Sequence, residues 1–173
     1  PRAVAEAEAQ KAKLLADAGH VADLTGYEVL VGVCGGIAAY KVCEVVSTLV
    51  QRGAGVTVAM TEAAREFVRP LTFQALTARR VLTSLGHAEE AGDIQHITLT
   101  DAVDLLLVAP ATANIIGKIA GGIADELVST LVISAASPVL LAPAMNDRMW
   151  ANPIVQRNCA DLKERGYRWL GPA

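Results

Sequence analysis

Aromatic side chains are scarce in this chain: 4% of 173 residues, against 53% for hydrophobic residues as a whole. The core must therefore be built from Ala, Val, Leu and Ile. Cysteine is also sparse. Cys34, Cys43 and Cys159 are odd in number and form no CxxC, which argues against a disulfide framework or a zinc site and for a reducing, cytoplasmic setting. No sign of charge dominates. A net charge of −3 and a pI near 5.6 leave no electrostatic footprint for nucleic acid. Neither GxGxxG nor a Walker P-loop occurs, which weighs against a nicotinamide Rossmann enzyme. The charged, Ala-rich N-terminus shows no signal-peptide pattern. Residues 127–146 form an uncharged run long enough to cross a bilayer. Pro138 and Pro143 interrupt it, and Ser129, Thr130, Ser134 and Ser137 dilute it, so it reads as helix end, loop and buried strand, with no membrane span.

What is present reads as one α/β domain with an appended helix. Residues 2–19 are rich in Ala, Glu and Lys and end at Gly19, so residues 1–26 are expected to carry an N-terminal helix outside the main fold. The domain proper spans 27–173. Strands are expected over 28–34, 56–60, 81–85, 104–109, 139–142 and 167–170, and helices over 37–52, from Glu62 onward, 70–77, 113–120, 125–135 and 153–165. Residues 88–95 read as a polar loop leading to His96. Strand and helix alternate throughout, which predicts a doubly wound parallel sheet of the flavodoxin or Rossmann-like kind with helices on both faces. The mean hydropathy of +0.37 fits either extra burial in an oligomer interface or one greasy core.

In such sheets ligands sit at the strands' carboxyl ends, and three segments point there. Cys34-Gly35-Gly36-Ile37 stands where the first strand turns into a helix, a place where free amides bind phosphate. Thr61 holds the same position after the second strand, as a helix cap or as a second contact to that anion. Ala109-Pro110-Ala111-Thr112-Ala113-Asn114 offers small side chains against which a flat ring can lie, with Thr112 and Asn114 as directional partners. Taken singly, each is also an ordinary βα turn. Together they describe a groove for a phosphorylated planar cofactor. Pro143-Ala144-Met145-Asn146-Asp147-Arg148-Met149-Trp150 then brings a neutral amide, able to bind a carboxylate through its NH2 donors. His96 has a tunable proton and suits a base or thiolate partner. His20 and His87 receive no role. Cys43 and Cys159 read as small core residues, and Asp161, Lys163, Glu164 and Arg165 as a solvated helix face.

GGIAAYK, MTEAA, the His96 segment, APATAN and PAMNxxMW occur in an order and spacing that resembles the flavin-dependent cysteine decarboxylases. The phosphopantothenoylcysteine decarboxylases are the nearest branch, often found as the N-terminal half of a bifunctional enzyme of coenzyme A synthesis. The resemblance covers about Tyr27 to Pro172. It implies FMN as cofactor, its phosphate held by Gly35, Gly36, Ile37 and Thr61, its ribityl chain and ring lined by Ala111, Thr112 and Asn114. It implies His96 as the catalytic base and Asn146 as the carboxylate-binding catalytic residue, with Met145 and Met149 beside the substrate. At Cys34 such proteins commonly carry Ser or Thr near the flavin phosphate, and a thiol is the weaker donor. The implied reaction oxidises a cysteine thiol to a thioaldehyde, and CO2 then leaves with its electrons delocalised onto sulfur. The substrate would be 4′-phosphopantothenoylcysteine, yielding 4′-phosphopantetheine. The implied assembly is a homotrimer or homododecamer sharing the flavin site, with neither nucleic acid nor membrane as partner.

That branch also uses a flap cysteine for the final reduction, expected after Gly171-Pro172 and so beyond Ala173. Peptidyl-cysteine decarboxylases of peptide natural-product synthesis lack that reduction, and stop at an aminoenethiol. They are the first alternative. A non-catalytic flavin-binding regulatory subunit is the second, disfavoured by the presence of His96 and Asn146. A flavin prenyltransferase is the third, disfavoured by PAMN.

Overall fold

The computed structural model describes residues 23–84 and 99–171. The expected N-terminal helix, the polar loop with His96, and Pro172 lie outside the described residues. Five strands form one sheet: β1 (Glu28–Val33), β2 (Gly55–Met60), β3 (Leu105–Ala111), β4 (Val139–Pro143) and β5 (Arg168–Trp169). Their order across the sheet is β2-β1-β3-β4-β5, and every pairing is parallel. The helices are α1 (Ala39–Gln51), α2 (Pro70–Thr77), α3 (Ala113–Ala120), α4 (Leu127–Ser134), the single turn α5 (Asp147–Trp150) and α6 (Pro153–Glu164), with a 3-10 turn at Ala63–Glu66.

The strands are apolar on both faces because both faces are covered. Val29, Val31 and Val33 of β1 pack with Val42 and Val46 of α1 and Phe73 of α2 on one side. Leu30 points the other way, into a second cluster with Ile115 and Ile116 of α3, Val128 and Leu131 of α4, and Leu162 of α6. Two clusters on opposite faces make the sheet doubly wound, as the alternation of strand and helix implies. Gly32 serves that packing: a Cβ there would stand 2.8 Å from Val128 Cγ1, so only glycine lets α4 sit this close to β1.

Several boundaries differ from the sequence reading. The strand expected at 81–85 is one bridge, Leu82 to Ala59 on the outer edge of β2, held by two backbone hydrogen bonds of 2.9 Å. The last strand contracts to two residues at the opposite edge. Both are edge elements with a single neighbour, so little pairing fixes their length. β3 runs two residues beyond its expected end, through Pro110, with a register shift against β4 between Val108 and Ala111. Proline lacks the ladder N–H and so reads as a stop, but an irregular register accommodates it. The turn α5 was not expected; Asn146 makes it.

Candidate functional site

β1 and β3 are neighbours, yet their following helices, α1 and α3, lie on opposite faces. Chain direction across the sheet reverses between them, and this switch point opens a crevice at the carboxyl ends. A cavity of about 1220 Å³ occupies that end of the sheet. Its wall comes from the turns after β1, β2, β3 and β4, which bring Gly35, Gly36, Ile37, Thr61, Thr112, Asn114, Met145, Asn146 and Met149 into one site. Segments as distant in sequence as Gly35 and Met149 therefore meet as expected. Ala111 is the exception. It is fully buried inside β3, away from the cavity wall, and its carbonyl accepts the Ala144 N–H at 3.2 Å. It ties the two site loops together. His96 lies outside the described residues.

Three side chains in the wall share one arrangement. Thr61 Oγ1 accepts the Ala64 N–H at 3.1 Å, Thr112 Oγ1 accepts the Ile115 N–H at 3.3 Å, and Asn146 Oδ1 accepts the Arg148 N–H at 2.8 Å. Each oxygen caps the helical turn that follows it. Each group keeps its hydrogens: one on each hydroxyl, two on the amide. Capping and ligand binding, rival readings of these residues in the sequence, are thus compatible, because the cap fixes which atom is left over. For Asn146 the cap assigns the oxygen to the backbone and presents the NH2 group as donor.

α1 is built differently. Its N-cap is Ala38, no side chain caps it, and its first turn holds no acidic residue. The Gly35–Ala38 turn that leads into it lines the cavity, so the positive end of the helix dipole lies at the cavity with no side chain of its own first turn to answer it, a setting in which a helix start binds phosphate. Gly35 has a specific reason to be glycine. A Cβ would stand 2.5 Å from Ala63 Cβ and 2.8 Å from its carbonyl carbon, so the turns after β1 and β2 touch there. Gly36 is looser: a Cβ would meet only Thr112 Cγ2, at 3.5 Å, and Pro110 Cγ, at 3.9 Å.

Charge in the wall was not foreseen. Glu62, Glu66, Glu126 and Lys118 all line it. Glu126 is the N-cap of α4, its two carboxylate oxygens accepting from Ser129 N–H at 2.6 Å and Val128 N–H at 3.1 Å. Burial, and secondarily the charge of Glu126, push the Cys34 thiol well above its ordinary range. It is therefore a protonated thiol, a weak donor with no nucleophilic form at neutral pH. A sequence signal existed for two of these residues. Lys118 follows Asn114 by four positions, on the same face of a helix, and Glu126 directly precedes an apolar helical run.

The Flavoprotein family matches residues 18–173. The chain belongs to that family. The coenzyme A biosynthesis bifunctional protein CoaBC of Bacillus subtilis (strain 168) is 49% identical over 150 residues, 87% of this chain. This chain spans 37% of that relative's length. Among solved structures, the FMN-dependent cysteine decarboxylase SpaF is 36% identical with a TM-score of 0.79, covering 85% of each chain. A PPC decarboxylase mutant complexed with pantothenoylaminoethenethiol is 28% identical with a TM-score of 0.75, covering 85% of this chain and 82% of that one.

Proposed function

We propose that this chain binds FMN and carries out the oxidative decarboxylation of 4′-phosphopantothenoylcysteine in coenzyme A synthesis. The observation that carries the reading is the convergence of an uncapped helix start and three donor-bearing caps on one cavity. The residues fit the cofactor. The α1 turn with Gly35, Gly36 and Ile37, together with the Thr61 hydroxyl, suits a phosphate, while Thr112 and Asn114 border the space for ribityl chain and ring. The cavity exceeds the ~300–1,000 Å³ usual for one small ligand, which leaves room for cofactor and substrate side by side. When bound, FMN supplies the two-electron oxidation of the cysteine side chain.

The protein's own groups then have distinct tasks. His96 takes the thiol proton, for which a side chain titrating near neutrality is suited. The Asn146 amide donates to the substrate carboxylate and holds it without adding a charge that would oppose it. Met145 and Met149 offer an apolar, polarisable wall for the sulfur-bearing carbon. Loss of CO2 from the oxidised cysteine moves its bonding electrons onto sulfur. Cys34 takes no part, since its thiol stays protonated.

The protein works as a homotrimer, or as a homododecamer built from four trimers. Ile37 and Leu71 are 76% and 71% exposed, and Tyr40 and Phe67 are also exposed. Single exposed apolar residues are ordinary, but Ile37 stands in the cavity wall itself, and a covering subunit would shield the site from water. Among the described residues no helix is long and apolar enough to cross a membrane. Three free thiols suit a reducing, cytoplasmic setting.

The test is to load the protein with FMN, incubate it with 4′-phosphopantothenoylcysteine or a peptide ending in cysteine, and follow loss of CO2 by mass spectrometry. Turnover of the small substrate is expected, and His96→Asn should lower it by roughly 10²-fold or more while keeping FMN. A colourless protein that takes up no FMN, or turnover of the peptide alone, would sink the reading.

A further inference from the structure

Lys118 is the sole cation among the described residues that line the cavity, where it shares the wall with the carboxylates of Glu62, Glu66 and Glu126. It lies one helical turn beyond Asn114, on the same face of α3, next to the residue assigned above to the ribityl chain and ring. Its side chain is 22% exposed, and Nζ is held by Asp125 Oδ1 at 2.7 Å. Asp125 is outside the cavity wall and more exposed than its partner. The pair therefore ties the ammonium of a wall residue to a counter-charge that is not itself part of the wall.

We propose that Lys118 sets the reduction potential of the bound flavin, its ammonium stabilising the negative charge that the ring gains on reduction. The inference rests on the FMN reading above. Two-electron reduction with uptake of one proton leaves the ring one unit more negative. In a wall whose other charged side chains are carboxylates that charge is disfavoured, and a cation in the same wall offsets the penalty. Substrate oxidation runs only as far as the flavin accepts electrons, so this lysine governs the position of the first step without touching the substrate.

The experiment compares FMN-loaded wild type with Lys118→Met, Lys118→Arg and Asp125→Asn by measuring the flavin midpoint potential against a reference dye. The Met variant should still bind oxidised FMN but lose about tenfold in the ratio of reduced to oxidised affinity, a fall of about 30 mV for a two-electron couple. Lys118→Arg should stay near wild type. Asp125→Asn removes the counter-charge of the ammonium, so its potential should rise. A Met variant that holds FMN at the wild-type potential overturns the proposal and leaves Lys118 as a brace for the 121–126 loop. If Lys118→Met binds no FMN, Asp125→Asn decides, and an unchanged or lowered potential there overturns the proposal. A wild-type protein that takes up no FMN refutes the underlying reading instead.

Discussion

The two ends of the sheet handle polar groups in opposite ways. At the amino end they satisfy one another. Asp104 Oδ2 accepts the Glu28 N–H at 2.8 Å, and the Asp104 N–H donates to the Glu28 carbonyl at 2.8 Å. Arg79 grips the Glu28 carboxylate through both guanidinium nitrogens, at 2.5 and 3.0 Å, and also reaches Thr57. At the carboxyl end, α1 begins without a cap and Thr61, Thr112 and Asn146 cap their turns while keeping donors to spare. Closure at one end and unspent hydrogen-bonding capacity at the other is what separates a scaffold from a site, since a group already paired has little to offer a ligand.

If the carboxyl end is held open by loop contact, filling that contact should do the most damage. Gly35→Val would drive side-chain carbon into Ala63, backbone included, where even a lone Cβ is too close. The turns after β1 and β2 would have to separate. A stability loss of about 1–3 kcal/mol or more is expected, together with loss of FMN binding, read by thermal unfolding and by flavin absorbance. Gly36→Ala sharpens the contrast: its Cβ makes only ordinary contacts, so stability should change by less than about 0.5 kcal/mol. Equal damage from both would show that the glycines matter for chain flexibility and not for the approach of Ala63.

The next test separates cap from donor at Asn146. Aspartate caps a helix as well as asparagine does, so Asn146→Asp should leave α5 and the melting temperature in place. It replaces the free NH2 with a second oxygen, and like charges would then face each other in a partly desolvated site. Substrate binding should weaken by at least tenfold while FMN stays bound, as seen by titrating substrate against the flavin spectrum. Wild-type affinity in the mutant would remove Asn146 from the substrate site.

The sequence showed the open end more clearly than the closed one. Turns that must approach a ligand carry glycine, proline and small capping residues, which punctuate the chain. The helices 70–77 and 113–120 were located to the residue because Pro70 starts one and Gly121 follows the other. The fold class followed from the alternation of apolar strands and helices. The charged part of the wall was harder to read: Lys118 and Glu126 carried only weak spacing and capping signals, and Glu62 and Glu66 look like ordinary helix residues until the fold brings four turns together. Ala111 was assigned to the cofactor because its neighbours were, whereas the run of β3 through Pro110 buries it. The network at the amino end escaped notice for a related reason, since Glu28, Asp104 and Arg79 are far apart in sequence and belong to no motif.

That network gives the smallest expected effect, and a pH dependence that tests whether the amino end is closed by charge or by shape. The Arg79 guanidinium, through its hydrogen bonds, holds the Glu28 carboxyl below its ordinary value of 4.5. A carboxyl with a depressed folded pKa contributes stability that is fully present above the unfolded value and is lost as pH falls through the folded one. Both side chains are about two-fifths exposed (41% and 40%), so solvent screens the pair and Glu28→Gln should cost only about 0.2–1 kcal/mol at neutral pH. The difference between wild type and mutant should hold from neutrality down to about pH 4.5, shrink below it, and weaken in high salt. Chemical denaturation of both proteins across that range measures it. A difference that persists unchanged into strong acid would mean that the Glu28 side chain acts by packing around Gly55, where a Cβ would collide with its carboxylate, and that the amino end is closed by fit instead of by charge.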